Sequence, residues 1–125
     1  RKKIYDKLLT FQSEKEKNIL LQLKLGDEES KSGFTEHEIY EIINTHPVNC
    51  SIVIKGLMVI AENNISTSEI AKQFHFAAAV FKKIKLLDKN IEFLSMGMSG
   101  DFNIALDAGS NMIRIGTSLF GDRKK

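Results

Sequence analysis

The chain has 125 residues, 42% of them hydrophobic and 27% charged, a composition that fits one folded domain and excludes a disordered segment. Eighteen Lys and Arg against sixteen Asp and Glu leave a net charge of +2. The charges are interspersed, which argues against a dedicated nucleic-acid binder despite the basic clusters Arg1-Lys2-Lys3 and Arg123-Lys124-Lys125.

No apolar run approaches the roughly eighteen residues a membrane span needs, and no signal-peptide core follows the basic N-terminus. The single Cys50 cannot close an internal disulfide, so a reducing, cytoplasmic setting is expected. The chain starts at Arg1 without Met and with no strand before its first periodic segment, and the expectation is a fragment of a longer protein.

Ile4, Leu8 and Phe11 recur at steps of four and three, which predicts an amphipathic helix over 3–11. A polar loop over 13–17 precedes NILLQLKL (18–25), too short and too apolar for a surface helix and read as a buried strand. The polar loop 26–33 follows. Thr35 with Glu38 forms a capping box, and Ile39, Ile42 and Ile43 share one face of a helix that runs to about His46, where Pro47 stops it.

SIVIKGLMVI (51–60) repeats the strand pattern, with Gly56 as a bulge or a point of close approach. A second capping box, Ser66 and Glu69, opens a long helix carrying Ile70, Phe74, Ala77, Phe81 and Ile84. Residues 92–98 form a third strand. Ser99 is expected to cap a short helix closed by Gly109, and residues 112–117 form a fourth strand. Buried strands alternating with helices imply parallel pairing through right-handed crossovers, an α/β architecture. Four such units make either a small open sheet or half of a (β/α)8 barrel, whose full form takes about 250 residues.

The stretch FLSMGMSGDFNIALDAGSNMIRIGTSLFG (93–121) carries the most chemistry. Ser99 at a strand-to-helix turn, with the N–H groups of Gly100 and Asp101, can receive an anion. Gly116 and Thr117 follow the next strand and offer further N–H donors and a hydroxyl. Parallel strands place both turns on one face, so the two can converge on one phosphate. The same turns also serve as ordinary helix caps in proteins that bind nothing. Arg114 favours the binding reading, because a cation at the end of a buried strand is costly unless something pairs with it.

Other signals are weaker. The loop Asp27, Glu28, Glu29, Lys31 reads as solvated rather than metal-binding, His37, His46 and His75 read as structural or surface residues, and Cys50 as a small buried residue. Met96 and Met98 read as packing residues, with contact to a flat ligand as the alternative.

The segment LSMGMSGDFNIALDAGSNMIRIGTSLFGDR closely resembles the C-terminal signature of the pyridoxal phosphate homeostasis protein family, the YggS or proline synthetase co-transcribed homologue group. DEESKSGF (27–34) and KGLMVI (55–60) match the same family in the same order. The resemblance implies a TIM barrel of the alanine racemase N-terminal type that carries pyridoxal 5′-phosphate (PLP). Residues 1–125 would be its C-terminal half, about the last four βα units. The family's phosphate positions fall on Ser99, Gly116 and Thr117. Met98 lines the cofactor, Arg114 faces the pyridine nitrogen, and Lys31 matches a lysine at the barrel mouth.

Two departures stand out. Lys24 replaces the asparagine of the family's usual Q-x-N strand, and the strand that bears the Schiff-base lysine has no counterpart in this chain. The expected partners are PLP, the N-terminal half of the barrel and PLP-dependent apoenzymes, with neither nucleic acid nor membrane. The implied function is PLP homeostasis without catalysis. The alternatives are a PLP-dependent amino-acid racemase-like enzyme and a TIM-barrel enzyme that binds a sugar phosphate.

Overall fold

The computed structural model describes residues 2–26 and 32–121, and the charged loop with Lys31 lies outside the described residues. The order is α1 (Lys2–Leu9), β1 (Lys17–Gln22), α2 (Glu36–Thr45), β2 (Ile52–Met58), α3 (Thr67–Leu87), β3 (Phe93–Met98), α4 (Phe102–Asp107), β4 (Met112–Arg114) and α5 (Thr117–Phe120). The four strands pair in parallel in the order β1-β2-β3-β4, so the strand order never reverses. Right-handed crossovers in such a sheet put the connecting helices on one face. The loops after the strands then share one end.

Both capping boxes form. The Thr35 hydroxyl accepts the Glu38 N–H at 3.2 Å while the Glu38 carboxylate accepts the Thr35 N–H at 2.7 Å, and Ser66 with Glu69 repeats the exchange at 3.2 and 2.9 Å. Each box fixes a helix start and contributes about 1 kcal/mol. Ile39, Phe74, Ala77 and Ile84 from the helices meet Leu21, Ile54, Leu57 and Leu94 from the strands in one core cluster. Burial of side chains of this size stabilises by about 1.5–3 kcal/mol each.

Gly56 is a point of close approach. The β1–β2 register slips so that Ile19 faces Ile54 and Leu20 faces Gly56, leaving Lys55 as the extra residue. A Cβ on Gly56 would lie 1.8 Å from the Phe93 carbonyl oxygen. At the other end of the sheet, the Tyr5 hydroxyl donates to His46 Nδ1 at 2.7 Å and His46 Nε2 donates to the Ile52 carbonyl at 2.8 Å, tying α1 to the turn before β2. Burial, reinforced by nearby Cys50 and Asp6, pushes the Tyr5 phenol up to about 12.

Several sequence expectations need correction. The strands read as buried on both faces, but β2 alternates buried and half-buried positions, because helices cover one face of an open sheet. β1 ends at Gln22 rather than at residue 25, although Leu23 and Leu25 continue into the core. β4 ends at Arg114 rather than at residue 117, since Thr117 already begins α5. Ser99 does not cap α4; Asp101 occupies the cap position. Cys50 is half-buried rather than buried.

Gly56→Ala is expected to cost about 3 kcal/mol or more, because it adds both a backbone clash and a disfavoured φ of +155°. Gly109→Ala is the control. Its φ is +105° with open space at the Cβ position, so it should cost only about 1 kcal/mol. Urea midpoints of the two variants check the difference; equal losses would show that the Phe93 approach is not the constraint.

Candidate functional site

The site lies where β3 and β4 end. Met98, Ser99, Gly100, Arg114, Ile115, Gly116 and Thr117 line a cleft of about 500 Å³. Five of the residues expected from the sequence therefore meet there: Met98, Ser99, Arg114, Gly116 and Thr117. Lys31 falls outside the described residues.

The turn after β3 is shaped by Asp101. Its carboxylate accepts the Met98 N–H at 2.7 Å, and its own N–H donates to the Met98 carbonyl at 3.1 Å. That closes the turn without Ser99, whose hydroxyl instead accepts the Ser118 N–H at 3.2 Å from the start of α5. Ser99 thus joins the two turns the sequence placed side by side. The N–H groups of Gly100, Gly116 and Thr117 donate to no acceptor among the described residues. A Cβ placed on Gly100 or Gly116 would meet nothing within 4 Å, so open space lies beside those backbones.

β4 is only three residues long and pairs irregularly with β3, at Ser95 with Met112 and at Met98 with Arg114. Side chains supply what the ladder lacks. The Ser110 hydroxyl lies 2.7 Å from the Met96 carbonyl and 3.0 Å from that of Met112. Asn111 accepts the Leu94 N–H at 2.8 Å and donates to the Glu92 carbonyl at 2.8 Å, substituting for a strand partner.

Arg114 reaches across two neighbouring strands. Its Nη1 donates to the Ser95 hydroxyl at 2.9 Å and the Ser95 carbonyl at 3.1 Å, and its Nη2 donates to the Val59 carbonyl at 2.9 Å. Burial lowers the proton affinity of the guanidinium below its ordinary value, and the Asp101 carboxylate acts against that shift. An arginine starts high enough to keep its charge regardless. These three bonds occupy three of the five N–H groups of the side chain. Ser95 and Val59 were not among the residues singled out from the sequence. The available signal was a serine inside the apolar strand FLSMGM, which has to find a polar partner once it is buried.

The cleft therefore offers a cation, a hydroxyl and unengaged backbone N–H groups, with donors predominating. Such a set suits a phosphate together with a neutral ring nitrogen that accepts a hydrogen bond. Neither lysine nor carboxylate is among the seven lining residues. Among the described residues no group of three His, Cys, Asp or Glu could hold a metal ion, and no helix is long and apolar enough to cross a membrane.

Residues 2–124 match the family model described as alanine racemase, N-terminal domain. The chain is 37% identical over 105 residues to a pyridoxal phosphate homeostasis protein of Vibrio alginolyticus, covering 84% of the chain and 45% of that protein. It is 41% identical over 104 residues to one of Helicobacter pylori, covering 82% and 45%. Among solved structures it is similar to PipY of Synechococcus elongatus without PLP, at TM-score 0.77 and 30% identity over 85% of this chain and 50% of that one. The PLP-bound form of PipY matches at TM-score 0.75 and 28% identity, over 86% and 50%. The chain spans about half the length of the relatives it matches. The likeness assigns an α/β fold of the TIM-barrel type, and four strands of such a sheet are present here.

Ser110→Ala is expected to lower stability by about 1–2 kcal/mol, because it removes the hydroxyl that bridges β3 to β4. Urea denaturation with amide exchange at residues 112–114 checks it. An unchanged midpoint and unchanged exchange would show that β4 is held without this hydroxyl.

Proposed function

The chain belongs to the alanine racemase N-terminal domain family, and from that premise we propose that it forms the phosphate half of a PLP site in a protein that binds and buffers the cofactor without catalysing a reaction. The proposal places residues 1–125 as the C-terminal half of a (β/α)8 barrel. The observation that carries it is the cleft of Met98, Ser99, Arg114, Gly116 and Thr117, with Arg114 anchored by Ser95 and Val59. The solved structure of PipY from Synechococcus elongatus with PLP bound supports the choice of cofactor.

The residues divide the ligand between them. The N–H groups of Gly100, Gly116 and Thr117, with the hydroxyls of Ser99 and Thr117, would hold the phosphate. Met98, exposed at the lip, would lie against the ring. Arg114 can only donate, so it would leave the ring nitrogen unprotonated. When bound, PLP supplies an aldehyde and an electron-withdrawing ring, and an unprotonated ring withdraws less strongly. The lining side chains include no base able to take up a proton at neutral pH, since Arg114 keeps its charge. That fits a half-site that holds the phosphate and the ring. The partners would be PLP, the complementary half of the barrel and PLP-dependent apoenzymes, in the cytoplasm.

PLP titration followed by absorbance is expected to show saturable binding that inorganic phosphate competes away. Ser99→Ala should weaken binding by about tenfold, the equivalent of one hydrogen bond to a charged group. Borohydride reduction and mass measurement should leave the chain without a stoichiometric adduct, as no lysine among the described residues lines the cleft. Binding insensitive to phosphate and to Ser99→Ala, or one specific modified lysine, would contradict the reading.

A further inference from the structure

We propose that Ser95 is a positioning residue for the cleft: it sets the orientation of Arg114 and through it the preference for a ligand with a ring acceptor over a bare phosphate. The proposal rests on the PLP reading above. Ser95 is 1% exposed and does not line the cleft, so it can act on a ligand only through another group. Its neighbours in β3 are Leu94, Met96 and Gly97, and a hydroxyl buried there is costly unless it is hydrogen-bonded.

The partner is Arg114 Nη1, which lies 2.9 Å from the Ser95 hydroxyl and 3.1 Å from the Ser95 carbonyl. One residue therefore takes both hydrogens of Nη1. The same carbonyl also accepts the Val59 N–H at 2.9 Å, while the Val59 carbonyl takes Nη2 at 2.9 Å. The Ser95 and Val59 carbonyls alone would hold the guanidinium by one edge and leave it free to tilt. With the hydroxyl added, Nη1 is held from two directions and the plane is fixed, so the two unengaged N–H groups keep a constant direction. The phosphate donors proposed for Ser99, Gly100, Gly116 and Thr117 do not depend on Ser95. Loss of the hydroxyl should therefore affect the two parts of a ligand unequally.

The test measures PLP and inorganic phosphate affinities in four proteins: the unaltered chain, Ser95→Ala, Arg114→Gln and the double variant. Ser95→Ala is expected to weaken PLP binding by about fivefold to tenfold, with phosphate affinity within about twofold. In the Arg114→Gln background it should change PLP binding no further. Equal losses for both ligands, no loss for PLP, or an additional loss in the double variant would overturn the proposal.

A ligand-free readout separates this claim from the cofactor reading. Nitrogen NMR of the guanidinium groups should show hindered Nη rotation at Arg114 and faster rotation in Ser95→Ala. If PLP fails to bind but this pattern appears, the cofactor reading falls and the positioning role stands. If Nη rotation at Arg114 in the unaltered chain is unhindered, the proposal is overturned, whether or not Ser95→Ala folds.

Discussion

The Arg114 guanidinium, drawn from the edge strand across β3 to the end of β2, is the interaction on which the cleft depends. β4 has three residues and an irregular ladder, so the backbone alone holds it weakly. The three bonds from Arg114 to Ser95 and Val59 tie it to β3 beside it and to the end of β2 beyond. Hydrogen bonds from a charged donor are worth roughly twice those between neutral groups. The same bonds place a permanent cation beside the turns that carry Ser99, Gly116 and Thr117. Fold and site here share one set of contacts, so a change at Arg114 would disturb both.

Much of the architecture was legible in the sequence because the signals were local. Thr35 with Glu38 and Ser66 with Glu69 mark helix starts through side chains three residues apart, and both boxes form. Gly109, expected to follow the end of α4, directly follows its C-cap Ala108 with φ +105°. The misreadings came where a residue's partner lies far along the chain. Ser99 has the chemistry of a cap, but its hydroxyl faces Ser118, nineteen residues on, while Asp101 closes the turn. Strand β4 looked longer because Ile115 continues an apolar run; the chain leaves the sheet there and enters α5 at Thr117.

The candidate site divides in the same way. Ser99, Arg114, Gly116 and Thr117 were identifiable from a strand-turn pattern that occurs twice within twenty residues, and parallel topology brings the two turns together; Met98 entered the site through the family resemblance. Ser95 and Val59 were not found, and the Asp101 N–H, expected to receive an anion, is instead taken by the Met98 carbonyl. Val59 contributes only a backbone carbonyl, which no residue type announces, and the Asp101 carboxylate closes the turn onto the Met98 N–H, a role its sequence position did not show. The chain spans about half the length of its relatives, and among the described residues the cleft carries hydrogen-bond donors and no lysine. Under the proposed reading the chain would contribute anion recognition and ring electrostatics, and the complementary half of the barrel would contribute the covalent attachment.

The most direct test of the central claim is amide mapping by proton–nitrogen NMR as PLP is added to the chain. The account predicts saturable shifts concentrated at Gly100, Gly116 and Thr117, with smaller ones at Ser99 and Arg114, and residues 60–66 unchanged. Shifts absent from those three amides, or centred at any other end of the sheet, would contradict it.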